Sequence, residues 1–137
     1  MEFADLARLA VWTLSGAVLL TLLMFIDSLF TKYKDFQELK KGNLAVTIRL
    51  VMKIFAQGFI LTYVLEGSSS IVSAWIISFI SFVILLLLES AVEFVLRRWG
   101  GLNLNEGTER GNVAHGLFAG TLHVVGALII TAALSIG

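Results

Sequence analysis

The chain has no cysteine and no proline among its 137 residues, and only 15% of the residues are charged. Without cysteine, the protein can form neither a disulfide nor a thiolate metal site. Without proline, no helix is interrupted by a residue that lacks a backbone N–H. The ten basic and ten acidic residues give a formal net charge of zero. Since there is no basic tail either, the charge pattern does not indicate nucleic-acid binding.

Hydrophobic residues make up 58% of the chain and lie in long runs. A run of about 18 or more apolar residues can cross the roughly 30 Å hydrocarbon core of a bilayer as a helix. The sequence therefore predicts an all-α integral membrane protein with one membrane domain, residues 1–137. We predict transmembrane helices at about 6–30, 44–65, 71–96 and 113–136. Because acidic residues occupy positions 2 and 5, where a cleavable signal peptide would be basic, we expect the first apolar segment to be retained.

Basic residues are distributed unevenly among the connections between these helices. The first connection carries Lys32, Lys34, Lys40 and Lys41, and the last carries Arg97, Arg98 and Arg110. The middle connection, EGSSS, has no basic residue. The positive-inside rule assigns basic connections to the cytoplasm. We therefore expect both termini to be extracytoplasmic.

A five-residue motif occurs twice. Lys41–Ala45 reads KGNLA and Arg110–Ala114 reads RGNVA, and each opens an even-numbered predicted helix after a polar, acid-bearing stretch. This placement predicts two tandem two-helix repeats, about 1–68 and 69–137, in the same orientation. The doubled motif in a four-span chain resembles the YjfL-like family, a domain-of-unknown-function family of small bacterial inner-membrane proteins with a duplicated two-helix unit. The resemblance implies the fold and a multi-pass location in the bacterial cytoplasmic (inner) membrane, but no mechanism.

The Gly-Asn pair of each motif has two interpretations. Asn43 and Asn112 can cap helix N-termini, while Gly42 and Gly111 permit the turn before each helix, including a positive φ angle. Alternatively, two helix N-termini at the membrane surface could hold an anion such as a phosphate or a lipid headgroup. We favour capping.

Polar and ionisable residues recur at every fourth position inside two predicted helices. They are Arg49, Lys53 and Gln57 on the second helix, and Glu89, Glu93 and Arg97 on the third. A spacing of four residues places each set on one helix face. Ionisable residues within a bilayer generally face the protein interior and pair with one another. Glu93 can pair with Arg97 on its own helix.

The partner of Glu89 has two candidates. Equal distances along the chain from the middle connection place Arg49 opposite Glu89, whereas depth measured from the helix ends favours Lys53. Asp27 on the first helix is another possible partner of Lys53. The predicted buried charge network therefore comprises Asp27, Arg49, Lys53, Gln57, Glu89 and Glu93. These residues could lock the helices together or provide a polar path for protons or ions.

The last predicted helix combines small residues with two histidines on one face, including His115, Gly116, Gly120 and His123. The Gly-x-x-x-Gly spacing allows close backbone approach, so we predict a packing face within or between subunits and a homo-oligomer. The histidines are eight residues apart, about 12 Å along a helix, so they cannot bind one metal ion at about 2 Å each. We predict no metal site and no cofactor. We expect His123 to donate a hydrogen bond between helices, while His115 could titrate.

Two classes of function fit this pattern. No catalytic motif appears and the connections are short, so we predict that the protein is not an enzyme. The first class is a channel-like homo-oligomer with an ion/proton-conducting or transport-type role based on the charge network. The second is a non-conducting membrane scaffold. Its basic first connection would form a short amphipathic helix that docks anionic lipid or, by analogy with the family resembled, a cytoplasmic membrane-stress protein.

We predict that a reporter that works only outside the cytoplasm is active when fused after Gly137, and that a reporter that works only in the cytoplasm is inactive there. The reason is that the basic connections orient the helices. Paired reporters, one active in each compartment, measure this directly. Activity of the cytoplasmic reporter alone would contradict both the topology and the parallel repeat.

Overall fold

A computed structural model describes residues 2–136, which contain six α-helices and no β-strand. The helices are α1 (Phe3–Phe30), α2 (Asp35–Lys40), α3 (Leu44–Gly67), α4 (Ile71–Trp99), α5 (Leu104–Glu109) and α6 (Val113–Ile136). Four of them, α1, α3, α4 and α6, are long and apolar enough to cross a membrane. The prediction of an all-helical protein with four such helices is confirmed. Three helices extend two or three residues beyond their predicted bounds: α1 at its start, and α3 and α4 at their ends.

The centre of the bundle is α3. It packs most extensively against α6, α4 contacts both of these helices, and α1 packs against α3 and α4. Half of the most apolar stretch of α3 is buried, compared with 17% of that of α1. The outer faces carry large exposed apolar side chains, among them Leu14, Phe55, Leu87 and Ile129. This arrangement suits a bundle whose outer surface contacts lipid rather than water.

The short helices α2 and α5 lie at the same end of the bundle, which we call the basic end. The opposite end, which we call the termini end, carries the start of α1, the α3–α4 turn and the end of α6. Along the chain, each half has a long helix, a six-residue helix and a 24-residue helix in that order. A short helix in the first connection was expected, whereas α5 was not. Asn103 caps the start of α5, and its side chain accepts a hydrogen bond from the Glu106 N–H at 3.0 Å.

The first Gly-Asn pair ends one helix and begins the next. Gly42 has a φ angle of 80°, a left-handed conformation that glycine adopts without steric cost. Its N–H donates to the carbonyl of Leu39, and the Asn43 N–H donates to that of Glu38, both at 3.0 Å. These two bonds are the Schellman pattern that terminates a helix. The Asn43 side chain then accepts from the N–H of Val46 at 3.3 Å and caps α3.

The second pair repeats this geometry at the junction of α5 and α6. Gly111 has a φ angle of 90°. Its N–H donates to Thr108 at 3.0 Å, and the Asn112 N–H donates to Gly107 at 2.9 Å. The Asn112 side chain accepts from the His115 N–H at 3.3 Å. Backbone requirements therefore account for both Gly-Asn pairs, and the capping interpretation is confirmed.

The small-residue face of α6 packs within the subunit. A Cβ atom at Gly116 would overlap the backbone of Ala45 in α3, and one at Gly120 would overlap the Met52 side chain. Further along, a Cβ at Gly126 would overlap Leu85 of α4. The Gly-x-x-x-Gly spacing thus permits the close α3–α6 contact at the centre of the bundle.

We expect Gly116→Leu to lower the free energy of unfolding by about 3 kcal/mol or more, because the new side chain meets backbone that cannot rotate away. Chemical unfolding in detergent micelles measures the change. Gly58→Leu is the matched control, since no atom lies within 4 Å of a Cβ at that helical position. Equal stability of the two variants would show that α3 and α6 do not approach as closely as described.

Candidate functional site

Arg49 lies at the centre of a polar cluster near the basic end. Its guanidinium donates to Glu93 of α4 at 2.8 Å, to the Asn105 side-chain oxygen of α5 at 2.8 Å, and to the Tyr33 hydroxyl at 3.3 Å. Arg49 is 4% exposed and Tyr33 is 5% exposed. The planar guanidinium can satisfy several acceptors at once, which suits it to this position. Burial raises the pKa of Tyr33 to about 12, so the phenol is neutral at physiological pH.

Lys53 lies one turn deeper along α3. Its ammonium donates to the Asp27 carboxylate of α1 at 2.8 Å and to the Thr31 hydroxyl at 3.3 Å. The side chains of Lys53 and Asp27 are 6% and 9% exposed. The bond therefore connects α1, the outermost helix, to the centre of the bundle through a buried ion pair. Another buried carboxylate, Asp35 of α2, accepts from the Ser28 hydroxyl at 3.1 Å.

Glu89 and His123 form the innermost ionisable pair. The Glu89 carboxylate of α4 lies against Nδ1 of His123 on α6. Both residues are buried, with exposed fractions of 9% and 3%. Each lies ten residues from the basic end of its helix, which is about 15 Å at 1.5 Å per residue.

A polar cavity of about 220 Å³ connects these groups at the basic end. Its lining includes Asp27, Lys53, Glu89, Glu93 and Asn105, together with Lys32 and Arg97 at the mouth. Because a water molecule needs roughly 10–15 Å³ of such space, the cavity can hold several waters. Beyond it lies a void of about 10 Å³ lined by Gln57, Glu89 and His123. That void has room for one water at most.

The interior between this void and the termini end is mostly apolar and contains three buried hydroxyl side chains, Ser78, Ser81 and Thr131. Phe82 and Leu85 of α4 line the void on that side. They belong to two buried apolar clusters that continue toward the termini end with Ile60, Leu61 and Val64 of α3. The buried charges thus occupy the half of the bundle nearer the basic end.

The predicted pairing of Glu89 with Arg49 or Lys53 is wrong. The structure pairs Arg49 with Glu93 and Lys53 with Asp27, while Glu89 contacts His123. Glu93 is consequently not paired with Arg97. Distance along the chain from a turn fixes only the depth of a side chain, whereas helix rotation decides which neighbour it faces. Here the rotation of α4 directs Glu89 toward α6.

Several residues of the network were not predicted from the sequence. Tyr33, Asn105 and Thr31 all bond to the buried cations, and each lies in or beside a connection rather than on a helix face with regular spacing. The partner of His123 was also missed, because nothing in α6 itself indicates which helix packs against it. Of the two carboxylates that pair with Arg49 and Lys53, only Asp27 was predicted to pair with the cation that it contacts.

His115 does not join the network. It is half-buried at the start of α6, where its ring packs against Gly107 of α5. Within residues 2–136, no three His, Cys, Asp or Glu side chains are close enough together to hold a metal ion. The chemistry that the network offers is therefore that of proton binding, ion pairing and hydrogen bonding.

We expect Asp27→Asn to destabilise the protein by about 3–5 kcal/mol, because the ammonium of Lys53 is then buried without a carboxylate. Combining it with Lys53→Met should recover most of the loss. A double-mutant cycle on the free energy of unfolding in micelles measures the coupling. Asp5→Asn and Arg8→Gln provide a control cycle on an exposed ion pair, where little coupling is expected. Additive effects at Asp27 and Lys53 would refute the buried pair.

Comparison with known families gives one match. The model of the family described as Domain of Unknown Function (DUF350) matches residues 1–134, nearly the whole chain. Comparisons with curated proteins and with solved structures find no match. The family match confirms the expectation of a domain-of-unknown-function family, and the narrower resemblance to the YjfL-like family stays a prediction. The chain belongs to the DUF350 family.

Proposed function

We propose that this protein moves protons, or other small cations, across the bacterial cytoplasmic (inner) membrane as a homo-oligomer. The observation that carries the proposal is the Glu89–His123 pair, which lies ten residues inside α4 and α6 from the basic end, at the inner end of a polar cavity. A carboxylate and an imidazole can each bind and release a proton. Intramembrane ionisable residues commonly mark proton or ion pathways.

The proposed topology places the basic end in the cytoplasm and both termini outside. It is supported by the lysines and arginines of the two connections at that end. The halves 1–68 and 69–137 are proposed to be tandem repeats in the same orientation. The shared helix order and the two Gly-Asn turns of matching geometry support this.

In this proposal the ion pairs Arg49–Glu93 and Lys53–Asp27 make the approach to Glu89 polar. Lys53 and Asp27 line both the cavity and the inner void. Their charges lie between the mouth and the Glu89–His123 pair, so a proton would approach through a hydrated polar region. The inner void is too small for a hydrated ion, which favours a proton as the species that reaches His123.

The apolar clusters beyond Phe82 and Leu85 are proposed to be the closed barrier of this pathway. Release toward the termini end would require these clusters to separate, or a second copy of the chain to complete the path. The proposed homo-oligomer supplies the second possibility. The proposal assigns no catalytic reaction to the protein.

The second candidate function is a non-conducting scaffold, which the first connection favours. In α2, Phe36 is 45% exposed and Leu39 is 39% exposed. Both stand beside the lysines of the connection, an arrangement that suits a helix at the bilayer surface. Such a surface could dock anionic lipid or a cytoplasmic membrane-stress protein.

Proton flux into liposomes tests the first proposal. The purified protein is reconstituted with an internal pH-sensitive dye, and a potassium gradient with valinomycin supplies the driving force. We expect flux above that of empty liposomes, and we expect Glu89→Gln to reduce it at least tenfold because an amide cannot accept the proton. His123→Gln should have a similar effect.

Glu109→Gln is the matched control, since this exposed glutamate at the end of α5 lies outside the network. It should leave the flux unchanged. If the wild-type protein conducts no more than empty liposomes, the proton proposal fails and the scaffold is favoured. Equal loss of flux in the Glu89 and Glu109 variants would also count against a pathway through Glu89.

A further inference from the structure

An apolar groove runs along the outer seam between α1 and α4. It has a volume of about 430 Å³, and its walls include Phe30, Phe79, Val83, Leu86 and Leu87. From Phe79 to Ser90 at its other end, the groove follows eleven residues of α4, about 16 Å. This length is close to the hydrocarbon depth of one bilayer leaflet, about 15 Å. Phe30, the last residue of α1, lines the groove at its end nearer the basic end, so an acyl chain can enter the groove from that end.

The groove opens into the polar cavity. Phe30, Leu86 and Ser90 line both spaces. A molecule with a polar head and an apolar tail could thus occupy the cavity mouth and the groove at once. A free inorganic anion or a soluble metabolite would use only the first of these spaces.

The charges at the cavity mouth indicate the sign of the head. Arg49 and Lys53 are each neutralised by a carboxylate that lines the cavity. Lys32 and Arg97 line the same cavity from the ends of α1 and α4, and neither forms an ion pair within the described part of the chain. Two cations without acidic partners, at the mouth of a cavity that opens into an apolar groove, complement a phosphate group.

We propose that the α1–α4 seam binds one anionic membrane phospholipid. Its headgroup phosphate lies between Lys32 and Arg97 at the cavity mouth, and one acyl chain occupies the apolar groove. The site goes beyond the proposed proton pathway and does not depend on it, because the lipid stays outside the void that contains Glu89 and His123. A bound lipid would also cover the side of the cavity that faces the bilayer.

Native mass spectrometry of the protein in detergent tests the headgroup. Phosphatidylglycerol and phosphatidylcholine with identical chains are titrated as separate samples. We expect one phosphatidylglycerol to bind per chain, with an affinity on the order of tenfold or more above that of phosphatidylcholine. The double variant Lys32→Gln with Arg97→Gln should lose this preference.

The control is the double variant Lys34→Gln with Arg98→Gln. It removes two neighbouring cations that do not line the cavity. It should keep the preference for phosphatidylglycerol. Equal losses in the two double variants would mean that diffuse surface charge attracts the lipid, and would overturn the proposal.

A second pair of variants tests the groove. Val83→Trp fills it, whereas Ile84→Trp adds the same bulk at an exposed neighbour that does not line it. Val83→Trp should weaken phosphatidylglycerol binding about tenfold and Ile84→Trp should not. If glycerol phosphate binds as tightly as the lipid and Val83→Trp has no effect, the site binds a free anion and the proposal is wrong. Both binding measurements use protein without a proton gradient, so their failure is distinguishable from a failure to conduct protons.

Discussion

A charge inside a bilayer has to be neutralised, because ions are poorly solvated in hydrocarbon. This constraint determines how the helices of this protein meet. Arg49 and Lys53 both project from the central helix α3, and each is matched by a carboxylate from a different neighbour, Glu93 of α4 and Asp27 of α1. The loosely packed α1 is thereby attached to the core by a specific bond as well as by apolar contacts. Removing either carboxylate would leave a cation that no other described acidic residue pairs with.

The two ends of the bundle have different interiors. The part near the basic end contains the ion pairs and the polar cavity, whereas the part near the termini end is mostly apolar and holds no buried charge among the described residues. Glu89 and His123 lie at the boundary. A protein that only needed rigid packing would be served by apolar contacts throughout, since ion pairs buried in place of apolar residues often add no stability. Among the described residues the buried charges reach from the basic end as far as Glu89, and this one-sided arrangement supports the proton proposal.

Sequence patterns predicted what depends on local chemistry. Long apolar runs identified four helices, and Gly-Asn pairs identified two caps whose bonds are satisfied within a few residues. Sequence patterns failed where a side-chain contact depends on helix rotation. Glu89 was assigned to a cation on α3, yet it faces His123 of α6. The short helix α5 was missed although it lies 69 residues after α2, the same offset that separates the two Gly-Asn pairs. Applying that offset to the whole chain would have predicted it.

The two cations of α3 also differ in whether their partners come before or after them in the chain. Asp27 precedes Lys53 in the chain, so their bond can form as soon as α1 and α3 are both in the membrane. Glu93 follows Arg49 by 44 residues, and Asn105 follows it by 56. During synthesis, α3 is complete before these partners exist. The chain order therefore lets α1 and α3 pair through Lys53 before α4 is made, whereas the carboxylate that pairs with Arg49 comes only with α4.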